Sequence, residues 1–147
     1  MKFKFLIISY FTLGYCFAQK TIKPLGFTED SISINTNIKL HDAVSFKNVV
    51  ITFEEVLIDS RCPKEANCVR AGEAKILLSI FEDGVFLKKK EVTIDAEGYV
   101  FKNTNMFYKM KNYEIYATEL YPYPQAKEKT KEESYNANFF VMRNYRQ

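Results

Sequence analysis

The chain has no tryptophan, a single histidine and only three cysteines in 147 residues, and each scarcity closes off some chemistry. Metal centres built on imidazole and thiolate need several such ligands close together. Here His41, beside Asp42, has for soft company only Met106 and Met110, and no spacing forces the three into one place. The plainer reading is a solvated turn histidine and two core-filling thioethers. Hydrolase signatures are missing too: there is no Gly-x-Ser-x-Gly elbow and no nucleophile partnered with His41. Glu82-Asp83-Gly84 and Asp95-Ala96-Glu97-Gly98 hold too few oxygen ligands for a calcium loop and read as turns. Glu54 and Glu55 are adjacent on an extended stretch, so they point to opposite faces and cannot flank one bond. No cofactor is therefore expected, and an enzyme is the weaker class. A small envelope enzyme or copper carrier using His41 stands as the alternative.

An excess of one charge is also lacking. The formal net charge is only +3, whereas a nucleic-acid partner demands a strongly basic face. Nor is there an apolar run long enough for a retained membrane helix, which needs about 20 residues. What the N-terminus offers instead is a secretory signal. Lys2 and Lys4 form a basic start, Phe5 to Phe11 opens an apolar stretch, and Cys16-Phe17-Ala18 sets small residues for cleavage before Gln19. A lipid anchor on Cys16 wants a small residue before it, and Tyr15 is large. Residues 1–18 thus read as a cleaved signal peptide, taking two of the three net positive charges with them. The address is export, to the periplasm or beyond.

Cys62 and Cys68 then remain, and an exported chain with an even count pairs them. The ring is small, so chain-entropy arithmetic assigns it about 2 kcal/mol. That fixes a loop; it does not replace a core. Dithiol oxidoreductases use two intervening residues at a helix start; this pair has five, between extended segments.

Sustained i, i+3, i+4 apolar spacing is absent as well, while period-two alternation recurs. Residues 19–30, with Pro24 and Gly26, read as a mobile lead-in to a domain over 31–147. Strands are expected from Ile32 to Leu40, over Ser45 to Ile58, from Glu73 to Glu82 and from Val85 to Asp95. Further strands are expected at Tyr99 to Phe101, Lys109 to Tyr121 and Asn138 to Met142. In the second of these, a bulge near Glu54-Glu55 would switch faces. Asp83-Gly84 is a favoured two-residue hairpin turn. Phe86, Val92 and Ile94 share a parity, and the run Lys88-Lys89-Lys90 suits a sheet edge. The sum is all-β: a single antiparallel β-sandwich of six to eight strands with one local disulfide. A closed barrel is the alternative.

Two short segments stand out, Asp59-Ser60-Arg61-Cys62-Pro63 with Cys68 and Ala71-Gly72, and Tyr121-Pro122-Tyr123-Pro124. They resemble a pattern in small exported bacterial β-domain proteins of unknown function: DSRCP, a few residues, C, then AG leading into a strand. This chain departs from it at Arg70, where an aromatic is expected. The resemblance implies an exported β domain with a local disulfide, and it brings no catalytic residue. Physically, Asp59 and Ser60 suit a turn, Pro63 stiffens the ring, and Gly72 accepts a conformation closed to other residues. Arg61 has two options, pairing with Asp59 or Glu65, or presenting its guanidinium to a ligand. With no tryptophan, aromatic recognition falls to the ten tyrosines, five of them at 113, 116, 121, 123 and 135. The reading that follows is a non-catalytic envelope module binding a protein or glycan partner through Arg61, Tyr121 and Tyr123.

Overall fold

The computed structural model describes residues 22–24, 33–96, 98 and 101–143. The expected signal peptide lies outside them, as do Ile32, Glu97, Tyr99 and Val100. Among the described residues nine strands form two sheets: β1 (Ile22–Pro24), β2 (Ser33–Lys39), β3 (Ala43–Phe46), β4 (Val49–Asp59), β5 (Glu73–Glu82), β6 (Val85–Asp95), β7 (Met106–Lys109), β8 (Tyr113–Tyr121) and β9 (Asn136–Arg143). The first sheet has the order β1-β3-β4-β5-β6 and the second β2-β9-β8-β7. Pairing is antiparallel throughout except that β1 runs parallel to β3. The all-β expectation therefore holds, with β1 drawn from what reads as a lead-in. No helix among the described residues is long and apolar enough to cross a membrane.

Alternation builds the core. Val49, Ile51 and Phe53 of β4, Ile76, Leu78 and Ile80 of β5, and Val92 and Ile94 of β6 are all at most 1% exposed. They face Ile115, Ala117 and Leu120 of β8 and Ala137, Phe139 and Val141 of β9 across one cluster. Phe107 packs on Phe139 with ring centroids 5.1 Å apart. The β4–β5 register shifts between Phe53 and Glu55, so the bulge expected there lets Val56 join the core. At the β5–β6 hairpin Asp83 and Gly84 both have positive φ, as a type I′ turn requires.

Three details differ from the sequence reading. Ser45 to Ile58 is two strands: Lys47 and Asn48 make a hairpin turn, Lys47 taking φ 54°. A non-glycine residue is strained there, and two contacts offset it. The Lys47 ammonium sits 4.2 Å from the Tyr113 ring centroid, and Asn48 Nδ2 donates to Asp83 at 3.1 Å. Likewise Lys109 to Tyr121 is broken by a turn in which the Met110 N–H donates to the Tyr113 carbonyl at 2.7 Å. The third difference is Phe86, which does not share the buried face of Val92 and Ile94. Ile80 pairs with Lys88 but Phe81 with Phe86, so one extra residue in β6 turns Phe86 outward. It is 52% exposed and rests edge-on against Phe81. The lysine run does lie on an edge strand, as expected.

Candidate functional site

At one end of the sandwich the two singled-out segments meet. Asp59 closes β4 and Arg61 follows on the way into the cysteine ring; their side chains are 7% and 3% exposed. Arg61 Nε donates to Asp59 Oδ1 at 2.8 Å and Nη2 to Oδ2 at 2.7 Å, the forked geometry that only a guanidinium offers. Nη1 reaches across to the Leu120 carbonyl at 2.5 Å and Nη2 to the Pro122 carbonyl at 3.1 Å. The Tyr123 ring covers the guanidinium, 4.8 Å from its central carbon. From the other side the Tyr135 hydroxyl donates to Asp59 Oδ2 at 3.1 Å. One carboxylate and one guanidinium thus tie the end of β4 to the end of β8 and the approach to β9. Burial, and then the negative charge of Asp59, push the Tyr135 hydroxyl pKa up.

The rest of the first segment supports this clamp. The Ser60 N–H and hydroxyl both donate to the Glu73 carbonyl, at 2.9 and 2.8 Å. The Cys62 N–H donates to the Ala71 carbonyl at 2.8 Å. Cys62 and Cys68 are bonded, with Cα atoms 5.9 Å apart. Gly72 has φ +73°, and a Cβ there would lie 2.0 Å from the Ser60 carbonyl oxygen. Only glycine lets the two chains approach so closely. Glu65, inside the ring, accepts from the Ala126 N–H at 3.1 Å. Arg61 therefore spends its guanidinium inside the protein, on Asp59 and on two carbonyls rather than on Glu65.

The tyrosines divide differently. Tyr121 is 40% exposed, and it precedes a cis peptide bond to Pro122. Tyr123 is half-buried over Arg61. Two open grooves, the first lined in part by Tyr123, share Glu128, Lys129 and Thr130. One, of about 210 Å³, runs along Pro122, Tyr123 and Lys131. The other, of about 380 Å³, runs between Val56–Asp59 and Pro124, with Ile58 half exposed on its wall. A third crevice, of about 90 Å³, is lined by Asp95, Glu119, Tyr121 and Tyr123. These are contact surfaces of modest size, and the larger groove enters the usual range of small-ligand sites, about 300–1,000 Å³.

The remaining candidates fall elsewhere. His41 is an exposed turn residue with φ 67°, its N–H donating to the Phe53 carbonyl at 2.7 Å. Met110 packs against the core. Among the described residues no group of three or more His, Cys, Asp or Glu side chains is placed to hold a metal ion.

A feature that the sequence reading missed lies on the outer face of the second sheet. Asn37 Nδ2 donates to Asn136 Oδ1 at 2.6 Å and to Asn138 Oδ1 at 2.7 Å. Asn138 Nδ2 donates in turn to Glu119 Oε2 at 2.7 Å. Asn37 and Asn138 are about a hundred positions apart, so the only sequence signal was asparagine repeating at i, i+2 in two separate strands. Tyr116, next to this row, donates to Glu114 at 2.7 Å; burial first, then that bond, push its pKa to about 12.

Comparison with protein-family models, with curated proteins and with solved structures finds no match to this chain.

Proposed function

We propose that this chain is an exported, non-catalytic binding module of the cell envelope, working in the periplasm or outside it. Its contact surface centres on Tyr121 and Tyr123. The observation that carries the reading is the clamp. Arg61 holds the carbonyls of Leu120 and Pro122, so the backbone on both sides of an exposed tyrosine is pinned before any partner arrives. Pre-set aromatic anchors lose little conformational entropy on binding, which is where recognition surfaces gain affinity. The export half of the reading is supported by the N-terminal charge and apolar pattern and by the cysteine pair. In this chain the Asp59–Pro63 segment supplies the guanidinium and the Leu120–Pro122 backbone receives it.

Tyr121→Ala tests this. The variant should keep the melting temperature of the parent while losing retention of a partner, protein or carbohydrate, from envelope extract. Tyr123→Ala should weaken the same interaction, with a small loss of stability from uncovering Arg61. Retention unchanged in both variants would leave these rings a purely structural part.

A further inference from the structure

The β5–β6 hairpin leaves three consecutive apolar residues largely in water. Val85, Phe86 and Leu87 are 64%, 52% and 44% exposed, at the start of an edge strand. A single exposed apolar side chain is ordinary, whereas three in succession make a patch, and such patches mark contact surfaces. The turn before them stands clear of the body, since a Cβ on Gly84 would have no atom beyond its chain neighbours within 4 Å. The extra residue in β6 turns Phe86 to the outer face, where it rests edge-on against Phe81. Bulges re-aim side chains in this way beside functional sites.

Lys88-Lys89-Lys90 follow at once. Lysines on an edge keep other strands from adding to it, which argues against a second copy pairing here and leaves the apolar tip unexplained. Lys90 is turned inward, its ammonium donating to the Met106 carbonyl at 2.6 Å. Lys88 and Lys89 are exposed. Being consecutive, they stand on opposite faces of the sheet, one across from Ile80 and the other from Ser79. Val85 and Phe86 divide between the faces in the same way. Apolar groups in front and cations behind thus surround the hairpin, where a peptide partner would be met on one side. Val85 lies about 10 Å ahead of Lys88 along the strand, and apolar groups of interfacial segments sit about 5–10 Å into the boundary of headgroups and acyl chains. The order of the chemistry is that of a bilayer surface, with the positive charge set at the depth of the phosphates. The hairpin's own acids turn toward the body. Asn48 Nδ2 donates to Glu82 and Asp83 at 3.4 and 3.1 Å, and the Tyr108 hydroxyl donates to Glu82; Glu91 stands further back on β6, across from Leu77. Exposed Lys47 and Lys111, on the two neighbouring turns of this end, widen the basic rim.

We propose that the β5–β6 hairpin docks this protein on an anionic lipid bilayer, with Val85, Phe86 and Leu87 entering the interface and Lys88 and Lys89 meeting the headgroups. β4 starts beside this hairpin, at Val49 across from Glu82, and ends at Asp59, so the site is at the opposite end of the sandwich from Tyr121 and Tyr123. It goes beyond the partner surface and leaves that surface facing away from the membrane. The test is flotation of the chain from Gln19 onward, cysteines oxidised, with vesicles of phosphatidylethanolamine containing about one third phosphatidylglycerol, beside vesicles of phosphatidylcholine alone. Expected is binding to the first, about tenfold weaker binding to the second, and a decline as salt rises. Phe86→Ser, and separately Lys88→Gln with Lys89→Gln, should each weaken binding about tenfold or more. These side chains are exposed, so the variants should melt with the parent; Val85→Ser, at the most exposed of the three apolar positions, repeats the apolar test if Phe86→Ser lowers the melting temperature. Tyr121→Ala should float like the parent, which keeps failure of this site distinct from failure of the partner surface. No flotation with the anionic vesicles, equal flotation with both compositions, or binding undiminished in the apolar and lysine variants overturns the proposal. Self-association through these residues in lipid-free sedimentation, with no flotation, would assign the tip to a second copy and overturn it as well.

Discussion

Removing Arg61 should be the most damaging single change outside the apolar core. Arg61→Ala deletes two bonds to Asp59, one to Leu120 and one to Pro122. It also leaves the Asp59 carboxylate, 7% exposed, with the Tyr135 hydroxyl as its remaining side-chain partner among the described residues. Breaking a buried ion pair from one side costs about 3–5 kcal/mol, because the other charge stays behind without compensation. Against a typical domain stability of about 5–15 kcal/mol, that is a large share. The pair itself is a different quantity, since desolvating two charges offsets much of their attraction. Removing both partners should therefore cost less than the two single losses added, with coupling of about 1–3 kcal/mol. The assay is urea unfolding of the parent, Arg61→Ala, Asp59→Ala and the double variant, with the cysteines kept oxidised and one slope fitted to all four. A loss below about 1 kcal/mol in Arg61→Ala, or strictly additive losses, would refute the clamp as described.

Gly72→Ala should destabilise by about 2 kcal/mol or more, since it sets a Cβ against the Ser60 carbonyl oxygen at a positive φ; thermal melting reads this directly. Cys62→Ser with Cys68→Ser should cost about 2 kcal/mol and leave the fold intact, because the ring is small and the core lies elsewhere. Alkaline titration should show Tyr116. Its folded pKa of about 12 lies above the ordinary 10.0, so its contribution is fully present below pH 10 and is lost as pH rises toward 12. That loss is on the order of 2 kcal/mol, and a Tyr116→Phe protein that declines just as steeply over the same range would contradict it.

Much of the architecture was legible because alternation is a local signal. Ile76, Leu78 and Ile80, or Phe139 and Val141, announce their buried parity without help from the rest of the chain. The Asp83-Gly84 turn and the Glu54 bulge are equally local. What escaped depends on partners far away. Phe86 reads as core until the extra residue in β6 is known, and that residue is defined only by pairing with β5. The break at Lys47-Asn48 has no glycine to mark it, because Tyr113 and Asp83 do the stabilising. At the site, the pairing of Arg61 with Asp59 was one of several options within reach. Its hold on Leu120 and Pro122, about sixty residues on, had no sequence signature. The asparagine row is the extreme case, since its halves sit near opposite ends of the domain.

The clamp also dictates when the domain can close. A ribosome or a translocation channel delivers a chain from its N-terminus, and the first hairpins, β3 to β6, join neighbours that emerge together. Asp59 and Arg61 emerge early, but the carbonyls and the phenol that complete their shell belong to residues 120, 122 and 135. Until those arrive, both charges are best left in water, so that end of the nascent sandwich stays ajar. Residues 120–135 act as the latch.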